Sequence, residues 1–217
     1  MESKYNFKEL MKERHACRKF QSKPIPEETL KDIIAISLNA PSWCNSQPWN
    51  IYVASGNTME EIRKEWISKG KEKIKGYADL NPGHWTDFSE RSQKTMREFY
   101  KSLGDLPNKN EAEESNSFIF HAPTMVYLTL PKGHVPYSIL DLGALEMSIM
   151  LAAKDHGVDS IPAYTTIMYP DVLRKILKIS EKEDIVIGVA LGYEEKCLLN
   201  DLRSVKLTLD EACHFYN

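Results

Sequence analysis

Arginine carries the first chemical signal in this sequence. One basic cluster runs Arg14-His15-Ala16-Cys17-Arg18-Lys19-Phe20, and a second, Arg203-Ser204-Val205-Lys206, stands in the last stretch of the chain. A guanidinium presents a planar fork of N–H donors that matches the oxygens of a phosphate. Each cluster alone reads as a solvated basic face. Between them lies the run from Pro41 through Trp49, where Ser42, Asn45 and Gln47 add donors and acceptors. Alone, that run is a turn before a strand. Familiar phosphate loops are absent. There is no G-x-G-x-x-G and no G-x-x-x-x-G-K-[ST], which argues against a Rossmann dinucleotide site or a P-loop. No G-x-S-x-G occurs either. The four cysteines, Cys17, Cys44, Cys197 and Cys213, have no C-x-x-C spacing, and no histidine pair sits at zinc spacing. They read as free thiols in a reducing compartment, with no metal site.

The bulk properties bound the answer. The chain has 217 residues, compatible with one domain whose core needs no disulfide or metal. Its net charge of −3 gives no footprint for nucleic acid. The lysine-rich stretch 64–76 alternates with acidic residues and reads as a solvated helix face. The polar N-terminus MESKYNFKEL has no apolar signal region. The richest apolar stretch, Leu140 to Ala153, contains Asp141 and Glu146, and it falls short of the ~20 residues that span a bilayer. The expectation is a cytoplasmic protein without membrane or nucleic-acid partners.

These clusters need elements to place them. Asn6 with Glu9 forms a capping box for a first helix. Residues 14–26 read as a basic loop, and Pro26 opens a second helix through Ser37, stopped at Asn39-Ala40-Pro41. Trp49 to Ala54 is a strand. Thr58 with Glu61 suggests another capping box and a charged helix to about Lys75. Residues 61–116 depart from the rest as a helical excursion, with an aromatic-rich part at 76–116 and a helix over Asp87–Leu103. That part reads either as two amphipathic surface helices or as a cap over a pocket. Pro123 to Leu130 is a buried strand. Tyr137 to His156 is a helix apolar on most sides, which demands cover beyond one core, such as a second subunit. Asp159–Tyr164 is short and extended, Pro170 starts a helix, and Ile185 to Leu191 is a further strand. The last 25 residues form a polar tail that only docking can order. Few strands separated by helices predict a single α+β layered domain.

Taken together, the motifs resemble the nitroreductase family. Arg14-His15-x-x-Arg18-x-Phe20, followed by Ala40-Pro41-Ser42-x-x-Asn45-x-Gln47-Pro48-Trp49, resembles that family's opening. So do His121-Ala122-Pro123 before an apolar strand and Asp141-x-Gly143 at the head of an apolar helix. Gly157–Pro162, Gly188–Tyr193 and Asn200-x-x-Arg203-Ser204 complete the likeness, which covers about 1–60 and 117–217.

The resemblance implies a three-layer α-β-α fold with a central, mostly antiparallel sheet in an intertwined homodimer. FMN would lie at the interface, and NADH or NADPH would reduce it in a ping-pong cycle. The acceptor would be a nitroaromatic, quinone-like or similar electrophilic small molecule. Arg14 and His15 would meet the phosphate or ribityl chain, Ala16 is a further cofactor-binding position that lacks one hydroxyl contact, and Arg18 would point at the pyrimidine edge, where a cation stabilises reduced flavin. Pro41, Ser42, Trp43, Asn45 and Gln47 belong to the matched cofactor-binding loop, of which Ser42, Trp43 and Asn45 would come from the other subunit. Pro162, Ala163 and Tyr164 would lie against the flavin, and Arg203 with Lys206 would bind phosphate. No side-chain acid or base is required as a catalytic residue. Ala16, Trp43 and Glu146-Met147 depart from the family pattern, where Ser, a small residue and Gln-Asn are common. Other readings are a dehalogenase-like reductase on the same fold, an FMN store or redox sensor, and a plain anion-binding module without flavin. Nothing in the sequence selects the acceptor or chooses NADH over NADPH.

Overall fold

Alternation and β-branching place four strands: β1 (Asn50–Ser55), β2 (Thr124–Pro131), β3 (Asp159–Pro162) and β4 (Glu183–Gly192). The computed structural model describes residues 6–108 and 110–216 of the chain, so Met1–Tyr5 of the polar N-terminal stretch lie outside it. The strands form one sheet in the order β1-β2-β4-β3, with every neighbouring pair antiparallel. β2 is central and buried from Thr124 through Leu130, as a near-continuous apolar run must be when both faces are covered.

Nine helices accompany the sheet among the described residues. They are α1 (Phe7–Glu13), α2 (Glu27–Ser37), α3 (Gly56–Lys71), α4 (Glu90–Gly104), α5 (Glu111–Ser117), α6 (Pro136–Asp155), α7 (Pro170–Leu177), α8 (Leu198–Asp201) and α9 (Leu209–Ala212). Side chains of β2 alternate between the two faces. Val126, Leu128 and Leu130 join Ile33 of α2 and Leu142, Leu145 and Ile149 of α6 in one cluster. Met125 and Tyr127 join Met59, Ile62 and Trp66 of α3 and Val172 and Leu173 of α7 in the other. The result is the α-β-α sandwich expected. Each fully buried leucine or isoleucine contributes roughly 1.5–3 kcal/mol, which is why these two stripes decide the layering.

The Asn6–Glu9 capping box is present on α1. The expected box at Thr58 is not used. β1 runs straight into α3 through Gly56, whose φ of +54° a glycine adopts without steric cost. The helix therefore begins three residues early, and it ends at Lys71 because Lys73 turns left-handed at φ 55°. α4 also starts later than expected, at Glu90 behind its Ser89 cap, because Trp85–Asp87 form a separate 3₁₀ turn.

The excursion is tied down at its start. The Tyr169 hydroxyl donates to Ile74 O (2.9 Å) and Tyr77 N–H to Met168 O (2.8 Å). The Asp79 carboxylate accepts from Arg174 Nη2 (2.6 Å) and Ile185 N–H (2.8 Å). Downstream of α5, Ile119, Phe120 and His121 are all left-handed, with φ of 52°, 55° and 58°. Such geometry costs about 1–2 kcal/mol per residue. Arg63 of α3 holds the turn by donating to Phe118 O (3.1 Å) and Ala122 O (2.6 Å). Phe120 O then accepts the N–H of Phe20 (3.0 Å), anchoring the N-terminal basic segment to the sheet.

Two predictions come from this packing. A Cβ on Gly192 would stand 2.7 Å from Pro123 Cδ and 2.8 Å from Phe20 Cδ1. Gly192→Ala therefore overpacks the core by about 1–3 kcal/mol and lowers the calorimetric unfolding temperature by several degrees; an unchanged midpoint would refute the contact. Glu146, half-buried on α6, has its carboxyl pushed above the ordinary range by burial. A raised acid is harmless while protonated and costs stability as pH rises through its folded value. Glu146→Gln should leave thermal stability unchanged at acid pH and raise it at neutral pH. Loss of stability at neutral pH would mean the carboxylate is paired.

Candidate functional site

A single buried amide assembles the site. Asn200, on α8, is only 1% exposed. Its Oδ1 accepts the N–H of Arg18 (2.6 Å) and of Lys19 (3.1 Å). Its Nδ2 donates to Lys19 O (2.7 Å) and Glu195 O (2.8 Å). Both oxygen lone pairs and both N–H groups are thus used. Leu199, fully buried beside it, seats the same turn. Three residues on, Arg203 Nη1 donates to Asn200 O (2.5 Å), which brings the tail's cation back toward the N-terminal cluster.

That cluster is extended along β3. Ala16 bridges Ser160, and Cys17 N–H donates to Ser160 O (3.0 Å). Cys17 is fully buried and its thiol is pushed up by burial, so it is a packing residue. His15 has both ring nitrogens engaged, Nδ1 with Glu13 O (2.9 Å) and Nε2 with the Glu194 carboxylate (3.0 Å).

The segments enclose a cavity of about 600 Å³, in the usual range for a small-molecule site. Arg14, His15, Ala16, Arg18, Pro162, Arg203 and Lys206 all line it, as the sequence predicts. Lys12, Met11, Leu202 and Ser204 line it too. Among the described residues the lining therefore holds Lys12, Arg14, Arg18, Arg203 and Lys206 and no carboxylate. Arg14 Nε is buried with no hydrogen-bond partner. Arg18 gives one N–H to Ala16 O (3.2 Å), and burial lowers its pKa, against an opposing effect of Cys17 and with a smaller lowering from the charge of Arg203. Arg14 and Arg18 are half-buried and Lys12, Arg203 and Lys206 exposed; partly desolvated cations without a counter-charge are costly, so the lining suits an anion.

The remaining predicted residues lie elsewhere or beside it. Ala163 is buried with its N–H committed to Gly188 O (2.7 Å), while Tyr164 is half-buried next to it. Ser42, Trp43, Asn45 and Gln47 do not line the cavity, and Pro41 lines a separate groove between α1, α2 and α6. Their loop is nevertheless ordered by its own bonds. Trp43 N–H (3.0 Å) and Ser46 Oγ (3.3 Å) donate to buried Asp141 of α6, and Gln47 N–H donates to Ser42 Oγ (3.0 Å). The Trp43 ring packs 4.9 Å from Tyr137 and stays 60% exposed.

A family model described as the nitroreductase family matches residues 11–193. The chain belongs to the nitroreductase family. The 4-nitrobenzoate reductase of Pseudomonas putida is 27% identical, over 97% of this chain and 95% of that protein. The nitrobenzene nitroreductase of Ectopseudomonas oleovorans is 28% identical, over 95% of each. Among solved structures, the FMN-dependent nitroreductase NfnB from Mycobacterium smegmatis in complex with NADPH is similar, with a TM-score of 0.88 and 25% identity over 97% of each chain.

In this nitroreductase the excursion reaches the site, which sequence reasoning left open. Ser115 of α5 donates to Arg18 O, Asn116 accepts from the Thr165 hydroxyl (2.6 Å), and Glu111 stands 3.7 Å from Lys19. Asn200 appeared in the sequence only as part of Asn200-x-x-Arg203. Its signal was a lone amide flanked by leucines in a polar tail. Lys12 could have been found on the same helix turn as Arg14.

The saturated amide gives a sharp prediction. In Asn200→Asp, one carboxylate oxygen still accepts from Arg18 and Lys19, but the other meets two carbonyl oxygens. Leaving buried groups unpaired costs about 1–3 kcal/mol each, so the variant should unfold several degrees lower. Hydrogen exchange at the Arg18 and Lys19 amides should rise with it; protection equal to that of the parent chain would contradict the clamp.

Proposed function

We propose that this chain is an NAD(P)H-dependent FMN oxidoreductase that reduces nitroaromatic or quinone-like electrophiles, with its flavin in the cavity between Arg14–Arg18 and Arg203–Lys206. The observation that carries the reading is the cationic lining without a carboxylate, including the unpartnered Nε of Arg14. That donor set fits a phosphate-bearing cofactor. The relatives named for 4-nitrobenzoate and nitrobenzene reduction support the acceptor class.

FMN, when bound, supplies the hydride and electron chemistry. The chain's own residues bind and orient. Arg14, Arg203 and Lys206 hold the phosphate end through charge-assisted N–H donors. Arg18 faces the pyrimidine edge, and Pro162 with the adjacent Ala163–Tyr164 backbone forms the floor. Among the described residues no carboxylate lines the cavity, so the protein's part is positioning and electrostatic stabilisation rather than side-chain acid–base work.

A second copy of the chain completes the site. Tyr137 and Leu140 of α6 are 53% and 67% exposed, and Val205 and Leu209 of the tail are 81% and 65% exposed. Phe7, Ile36 and Leu151 line the groove between α1, α2 and α6. Apolar surface on three connected regions favours a homodimer. Its partner would present Pro41, Ser42, Trp43, Asn45 and Gln47, pre-ordered by Asp141, to the flavin of the first subunit. The free cysteines favour a cytoplasmic setting, and among the described residues no helix is long and apolar enough to cross a membrane.

The purified protein should carry the visible absorption bands of FMN, and anaerobic NADPH or NADH should bleach them promptly. Slow bleaching would favour flavin storage or sensing, and absence of bands after reconstitution would overturn the reading. Arg18→Ala removes one charge-assisted contact worth about 1.5–3 kcal/mol, so roughly tenfold to a hundredfold weaker FMN retention or slower flavin reduction is expected. Unchanged cofactor content and rates would remove Arg18 from the site.

A further inference from the structure

Arg18 is half-buried and lines the cavity, yet no carboxylate pairs with its guanidinium among the described residues. Its partner is a ring. The Arg18 Cζ stands 4.9 Å from the centroid of Phe99, and one N–H goes to Ala16 O. Phe99 comes from α4, a helix with no fully buried residue. The rest of α4 touches the body lightly, through Arg91 Nη1 donating to Glu211 O in α9 (2.9 Å). The following helix, α5, meanwhile grips the backbone of the same arginine through Ser115.

The choice of partner matters physically. A carboxylate would hold the cation by accepting its N–H groups and neutralising its charge. An aromatic face attracts the cation electrostatically but accepts none of those directional donors. The guanidinium is thus confined while its remaining N–H groups stay available along the cavity. Arginine otherwise spends considerable rotamer freedom on adopting one geometry, and confinement beforehand removes that loss from ligand binding.

We propose that Phe99 is a positioning residue for Arg18, so that the seating of α4 sets how firmly the chain holds the pyrimidine edge of its flavin. The inference rests on the FMN reading above. It makes the helical excursion a determinant of cofactor affinity and redox potential. Because a cation at that edge favours the reduced flavin, loosening Arg18 shifts the midpoint potential downward.

The test compares Phe99→Leu, which keeps apolar bulk and helix propensity but removes the π face, with Phe99→Tyr, which retains it. FMN dissociation constants come from flavin fluorescence titration, and midpoint potentials from dye-equilibrated reduction. Phe99→Leu should weaken FMN binding roughly threefold to tenfold and lower the potential, and Phe99→Tyr should restore both. In an Arg18→Met background, Phe99→Leu should have no further effect on either quantity. Parent-like affinity and potential in Phe99→Leu would overturn the proposal. So would an equal effect of Phe99→Leu in the Arg18→Met background, because that would be packing alone. A parent chain that binds no FMN would overturn the function reading instead, which keeps the two failures apart.

Discussion

The site depends on the Asn200 side chain. A primary amide is the one neutral group that can accept two N–H bonds at one end and donate two at the other, and all four positions are filled in a place closed to water. Aspartate lacks the donors, and leucine lacks both. The four bonds join the backbone of Arg18–Lys19 to Glu195 and, through the α8 turn, to Arg203. Two cationic segments separated by most of the sequence are thereby held a few ångströms apart, against their mutual repulsion. Among the described residues none beyond α8 is buried, so the amide holds the tail's start against the pocket.

The electrostatics follow from this placement. The chain as a whole is mildly acidic, with a net charge of −3, yet the cavity gathers lysines and arginines without a counter-charge. Where the fold needs an ion pair for architecture it supplies one, as in Arg174 with Asp79 and Lys154 with Asp159. Arg18 is treated differently and meets an aromatic ring. The contrast separates cations that hold the fold from cations kept open for a ligand. It also explains why the excursion is bound to the site at several points although its outer helix buries so little.

Much of this was legible in the sequence, and the gaps have physical causes. The strands were readable because β2 and β4 are apolar or β-branched over their length, few strands separated by helices pointed to a layered α+β domain, and the three-layer α-β-α arrangement followed from the family resemblance. The cation clusters at Arg14–Arg18 and Arg203–Lys206 were readable by residue type. Boundaries were less so. The start of α3 depends on Gly56 entering a left-handed conformation, and the turn at Ile119–His121 depends on Arg63 reaching across from α3. Neither is a local propensity. The roles of Asn200, Ser115 and Phe99 are non-local contacts with one short segment, which a single sequence does not pair. Ser42 to Gln47 is the complementary case: the motif was plain, but a single chain does not bring that loop to the cavity.

The measurement that tests the central claim most directly is the affinity of the purified apoprotein for FMN against riboflavin, which differ only in the phosphate. If the clamp gathers Arg14, Arg203 and Lys206 to hold that phosphate, FMN should bind tighter by roughly tenfold or more, the scale of one or more charge-assisted hydrogen bonds. Arg203→Ala should shrink the difference while leaving riboflavin affinity nearly unchanged. Equal affinities for the two flavins would contradict the account, because the cationic lining would then serve some other anion.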